Sequence, residues 1–113
     1  MSTRCHTIIS RGNKKHYVYR HHDGYPEEAG KDLEEFISEN KNDFSELSLN
    51  EIAERLNDFY SGFENENHGV HGDEDFIYTI NLDENKLKCY RVPGDEDAGE
   101  EFDKYILRYT IQF

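Results

Sequence analysis

Residues 4–10, RCHTIIS, and 15–20, KHYVYR, alternate at the period of a β-strand. Gly12-Asn13 between them is a two-residue hairpin signal. Asp23-Gly24 and Pro26 then break the chain. Ala29, Leu33, Phe36 and Ile37 recur at helical spacing from Pro26 to about residue 39. Pro26 suits the first helical position, and Glu27 and Glu28 suit the positive end of the helix dipole. Ser48-Leu-Asn-Glu51 is a capping box that opens a second helix. Its stripe is Leu49, Ile52, Ala53, Leu56, Phe59 and Tyr60, with Gly62 as its stop. Residues 61–74 read as a polar loop.

Three more strands follow: residues 75–82, 86–92 and 103–113. In the last, Tyr105, Leu107, Tyr109, Ile111 and Phe113 are expected on one face, with Ile106, Arg108, Thr110 and Gln112 on the other. The pattern predicts an α+β fold over residues 1–113, one domain in element order ββααβββ. An antiparallel sheet of about five strands is covered on one face by two helices. Its last strand lies at an edge, where pairing with a second copy would make a homodimer.

Charge changes this picture from a fold to a surface. The chain has 25 acidic and 13 basic residues, a net charge of −12. Residues 1–20 carry +5 with no acid, and residues 21–113 carry −17. Arg4, Arg11, Lys14, Lys15, Arg20, Lys86, Lys88, Arg91, Lys104 and Arg108 fall in expected strands or their turns, whereas the acids fall almost wholly in helices and loops. An acidic helical layer displaying Glu28, Asp32, Glu35 and Glu39, with Asp95, Glu96 and Asp97 in a loop, would imitate a nucleic-acid backbone. Its partner would be a protein that normally binds nucleic acid. The same charge argues against direct binding of nucleic acid or an anionic membrane. The alternative is that acidic helix faces only keep the protein soluble.

The uncovered sheet face should be basic and tyrosine-rich, with Arg20, Lys88, Tyr90, Arg108 and some of Tyr17, Tyr19 and Tyr78. Rings stack on bases and cations hold phosphates, so a nucleotide is a second reading. Its pocket would comprise Arg20, His21, Tyr90, Arg91 and Arg108. The plainer alternative is that such residues simply fit a wet pleated surface.

A third reading is a metal-dependent hydrolase built on His21, His22, His68 and His71. The geometry expected for it is poor. Neighbours on an extended strand face apart, and His68 and His71 sit in a glycine-rich loop. Residues 95–100, DEDAGE, lack the spacing of a calcium loop. No phosphate-loop, dinucleotide or nucleophile-elbow motif is present, so neither a cofactor nor an enzymatic activity is expected. At the Arg20–Pro26 corner, Asp23 is expected to bond the following backbone and Gly24 to take positive φ. Cys5 and Cys89 read as free thiols in a reducing cytoplasm, a compartment that argues against a disulfide even if adjacent strands could bring them together. No apolar run reaches the roughly 20 residues of a membrane span, and residues 1–10 lack a signal peptide's apolar stretch.

Ser2, Thr3 and Arg4, together with Tyr19, Arg20, His21, Asp23, Gly24, Tyr25 and Pro26, carry a resemblance. This third of the chain resembles a group of small phage, prophage and mobile-element proteins. They begin with a Ser-Thr-Arg strand and carry an Arg/Cys-His-x-Asp-Gly-Tyr-Pro turn. FIYTINLDENKLKCYRV is a weaker echo, and His22 stands where that group often has Trp. The resemblance implies no catalytic residues. It implies an accessory protein acting in a bacterial host's cytoplasm, of the kind that disables host defence, anti-CRISPR proteins included.

Overall fold

The computed structural model describes residues 3–60, 62–66, 74–93 and 102–113. A hairpin, β1 (Cys5–Arg11) and β2 (Lys14–Arg20), opens the fold. Two helices follow, α1 (Lys31–Asn40) and α2 (Leu49–Phe59). Then come β3 (Phe63–Glu66), β4 (Phe76–Asn81), β5 (Lys86–Arg91) and β6 (Ile106–Gln112). The strands form one sheet in the order β3-β2-β1-β4-β5-β6.

The α+β class and the two-helix layer agree with the pattern of the sequence. Two features of the sheet do not. It is mixed rather than antiparallel, because β1 and β4 run parallel from Cys5↔Phe76 to Ser10↔Asn81. β3 occupies the outer edge of β2, so the next strand fills the remaining edge of β1. It enters from the same end as β1, where the Arg4 carbonyl accepts from Asp75 N–H at 2.9 Å. β3 itself lies within the stretch read as loop. Its sequence, FENE, has the charge of a blunted edge strand rather than the alternation of a central one.

β1 is the centre of the molecule. Five successive residues, Cys5 to Ile9, are buried, as in a strand covered on both faces. Cys5, Ile9, Val18, Tyr78, Ile80, Leu87 and Cys89 pack against Leu33, Phe36, Ile37, Ile52, Ala53 and Leu56 of the helices. A second, smaller cluster lies on the opposite face: Ile8, Ile77, Val92 and Tyr105, with Tyr17, Tyr90 and Phe102 against it. The expected alternation in the last strand breaks here. Cys89 pairs with Tyr109 but Tyr90 pairs with Leu107, so Arg108 is the extra residue of a β-bulge. The bulge sends Leu107 away from the helices, 51% exposed, and Tyr105 joins the second cluster.

The helices begin and end for local reasons. Ser48 Oγ accepts from Glu51 N–H at 3.2 Å, and Glu51 accepts from Ser48 N–H at 3.0 Å. The capping box is therefore complete. α1 is preceded by a π-helical turn, Pro26–Gly30. A Cβ on Gly30 would come within 2.5 Å of the Tyr109 hydroxyl, so glycine lets this turn settle onto the sheet with that ring in place. A 3-10 turn, Lys41–Glu46, links the helices. Arg11 fastens it by donating to the carbonyls of Phe44 and Leu47. Among the described residues no helix is long and apolar enough to cross a membrane.

The Arg20–Pro26 corner differs from expectation in one residue. Asp23, not Gly24, takes the positive φ, at 57°. Gly24 is needed for proximity instead. Its N–H donates to the Thr3 carbonyl at 2.9 Å, and a Cβ would lie 2.9–3.0 Å from the backbone of Thr3 and Arg4 and from Cys5 Cβ. The Tyr78 hydroxyl, in the core, donates to the Gly24 carbonyl at 2.8 Å. Gly24→Ala is expected to cost about 1–3 kcal/mol, because backbone and a core Cβ cannot step aside. Gly12→Ala meets nothing within 4 Å and carries only its φ of 60°, so its cost should be about 1 kcal/mol. Denaturant unfolding of both variants checks that order.

Candidate functional site

The helical layer is built from residues 23–60, which hold twelve acidic and three basic residues. α1 buries Leu33, Phe36 and Ile37, so Glu34, Glu35 and Glu39 face solvent. α2 buries Ile52, Ala53 and Leu56, leaving Glu51, Glu54 and Asp58 outside. Of the carboxylates singled out from sequence, Glu28, Glu35 and Glu39 are exposed. Asp32 is committed inward. It accepts from Arg20 at 2.7 Å, while Arg20 also donates to the His22 carbonyl and lies over the Phe63 ring. Glu35 and Glu39 stand one turn apart, about 6 Å along the axis. Both flank Tyr60, whose hydroxyl is pushed up to about 12 by burial first and by Glu35 and Glu39 next. Asp95, Glu96 and Asp97 lie outside the described residues.

Phe59 is the residue whose placement departs furthest from its pattern. It falls on the periodic apolar stripe of α2 yet is 71% exposed. The helix ends there, Tyr60 turns extended, and Phe63 takes the buried position beyond it. An aromatic ring thus stands in solvent beside Asp58 on the acidic layer. It is the kind of residue that anchors protein interfaces.

The residues of the expected nucleotide pocket are not brought together. Arg20 lies on the helix side, braced by Asp32. His21 Nδ1 accepts from the Tyr19 hydroxyl at 3.0 Å and from Arg4 Nε at 3.3 Å. Arg91 ends β5, and Arg108 sits at the bulge of an edge strand, both exposed. Only Tyr90, with Lys88, Tyr17 and Tyr19, lies on the face away from the helices. Tyr78 is buried beneath the helices.

His21 and His22, expected to face apart on an extended strand, come together instead. β2 ends at Arg20, and the His21 and His22 rings meet edge to face, 4.6 Å between centroids. His68 and His71 lie outside the described residues. Among the described residues no three His, Cys, Asp or Glu side chains come together as a metal site.

Sequence reasoning missed one polar pair entirely. His6 Nδ1 donates to Glu74 at 2.8 Å, and neither side chain has any exposure. The ring is bracketed by Tyr17 and Tyr19. His6 alternates correctly in β1 but toward the face expected to be open, so its burial was illegible from its own strand. The signal lay in Glu74, a carboxylate just before a strand, whose partner is 68 residues away.

The thiols do not meet as neighbours, because β4 separates their strands. Both are free and buried. Burial pushes Cys5 to about 12 and Cys89 to about 11. Burial also raises Tyr78 and Tyr109, which bond Cys89.

No protein family, curated protein or solved structure matches the chain.

Two outcomes follow from these buried groups. Glu74→Ala should destabilise the fold by about 3 kcal/mol, since it strands a buried imidazole, and Glu74→Gln by less. Thermal and denaturant unfolding would reveal equal losses if no bond existed. The thiols are neutral in both states below pH 9, the ordinary thiol value. Above it the unfolded chain gives up protons that the folded one keeps. Stability should therefore fall as pH rises from 9 toward 11. Neither thiol should react with a thiol reagent at about pH 8 until the chain unfolds.

Proposed function

We propose that the protein is a non-enzymatic inhibitor whose acidic helical layer occupies a nucleic-acid-binding surface of a host protein. The reading extends to a phage or mobile-element accessory protein acting against a defence complex, CRISPR effectors included. That context comes from the Ser-Thr-Arg sequence at residues 2–4 and the His-x-Asp-Gly-Tyr-Pro sequence at residues 21–26, and the mode of action comes from the charge.

The observation that carries it is the combination on residues 23–60. Residues 23–60 carry a net charge of −9 over two helices and the turns beside them, with Phe59 standing exposed among the carboxylates. Solubility of a small domain needs a net charge of about 2–8 over the whole chain, and this layer exceeds that alone. Purely repulsive surfaces also have no use for a phenyl ring in water. An acidic rim around an aromatic anchor pairs electrostatic steering with a desolvated contact. Glu28, Glu35 and Glu39 supply charge, Phe59 supplies contact area, and Asp32 supplies rigidity through Arg20.

A panel of purified bacterial nucleases, CRISPR effectors and other nucleic-acid-binding proteins tests this. A partner should bind more weakly as salt rises from about 50 to 200 mM, and nucleic acid should compete. Glu35→Lys with Glu39→Lys should weaken binding at low salt. Phe59→Ala should cost about tenfold or more at any salt. Affinity that is indifferent to salt and to the two lysines would end the mimicry reading.

A further inference from the structure

The sheet face away from the helices has an order that its pairing register makes explicit. Tyr19, His6, Ile77, Tyr90 and Leu107 form one row across five strands. Tyr17, Ile8, Thr79, Lys88 and Thr110 form the next, and Lys15, Ser10, Asn81, Lys86 and Gln112 the third. The first row is largely covered, because the 3-10 turn Phe102–Lys104 and Tyr105 fold over it. The third row is polar throughout. The face therefore grades from aromatic to cationic over two residue steps.

A cleft opens where that gradient is steepest. Ile8 is its floor, and Tyr90 and Phe102 are its wall, their rings 4.9 Å apart and tilted by 32°. Lys15, Lys88, Ser10, Thr79 and Asn81 complete it. In a chain of net charge −12, the described residues that line this cleft include two lysines and no carboxylate. Segregation of that kind selects an anion that elsewhere on the surface would be repelled.

We propose that this cleft binds a nucleoside monophosphate. The base stacks on the Tyr90–Phe102 wall, and the phosphate lies toward Lys15, Ser10 and Asn81. Lys88 and Thr79 stand between, placed to meet the ribose and the near side of the phosphate. Each ligand part matches the chemistry of its row: flat rings for a π-face, ammonium groups for phosphate charge, hydroxyl and amide donors for its oxygens. Lys15 and Lys88 lie three strands and one row apart, about 16 Å between Cα atoms, and both line the cleft. The cleft, at about 190 Å³, is smaller than the roughly 300–1,000 Å³ of enclosed ligand sites. A mononucleotide is larger than this volume, so its base would fill the cleft and its ribose would lie partly in solvent.

This site is independent of the acidic layer, so the two readings fail separately. Isothermal titration of the full chain with AMP, GMP, CMP and UMP tests it, with adenosine and inorganic phosphate as partial probes. At least one monophosphate should bind below about 1 mM, and more tightly than adenosine or phosphate alone. Lys88→Gln and Tyr90→Ala should each weaken it about tenfold. Lys88 is partly exposed, so Lys88→Gln should leave the melting temperature unchanged and report on binding alone. Glu35→Lys should not weaken nucleotide binding. The proposal is overturned if no monophosphate binds to about 1 mM, if phosphate alone binds as well, or if Lys88→Gln binds like the parent.

Discussion

Everything in this fold is arranged around a strand that has no face in water. β1 is hydrogen-bonded on one edge to β2 and on the other to β4, and five successive side chains are buried. A strand so placed stabilises through both faces, each fully buried aliphatic side chain contributing about 1.5–3 kcal/mol. The same position makes polar side chains costly. His6 points to the face away from the helices and is wholly buried there. The bond to Glu74 offsets that cost, and it ties the residues just before β4 to the centre of the sheet. The Arg4 carbonyl, accepting from Asp75 and Phe76, ties the backbone at the same point. Parallel entry of β4 and satisfaction of His6 are thus one event.

That arrangement decides what the second sheet face can be. A five-strand antiparallel meander under two helices would leave this face open and wet. Burying His6 and Ile8 instead requires cover, which Phe102, Tyr105 and Val92 supply at one end. Cover at one end and polar residues at the other create a cleft rather than a plane. The bulge at Arg108 contributes, because it releases Tyr105 to the covered side while Tyr109, Ile111 and Phe113 stay under the helices.

What could be read from the sequence was local. The Ser48–Glu51 capping box, the Gly12-Asn13 hairpin and the period of α1 depend on residues within a few positions, and all stand where expected. What could not be read was pairing and termination. FENE lacks apolar alternation, and β3 is held by backbone pairing with β2 and by the buried Phe63. Phe59 satisfies a helical period and still lies outside, because a stripe predicts burial only as far as something covers it. Parallel pairing has no signature in either strand alone. The acidic layer was legible as composition, whereas the cleft was not, since Lys15, Ser10, Asn81 and Lys88 come together only through the strand order.

Arginine and lysine divide the labour of the basic residues, and the division explains which surfaces remain available. Arg11 donates to the carbonyls of Phe44 and Leu47, Arg20 to Asp32 and the His22 carbonyl, and Arg55 to Asn40 and Asp43. A planar guanidinium with five donors suits such bracing, and an ammonium does not. Because half of these bonds go to backbone carbonyls, the arginines hold the layers together while consuming few carboxylates. Asp32 and Asp43 are the acids of residues 23–60 held in ion pairs with arginine among the described residues. The helical layer therefore keeps its negative field although three arginines anchor into or beneath it. Lys15 and Lys88 are placed across the sheet on its other side. A pocket built on Arg20 would have required breaking the brace that fixes α1, whereas one built on the lysines leaves the frame intact.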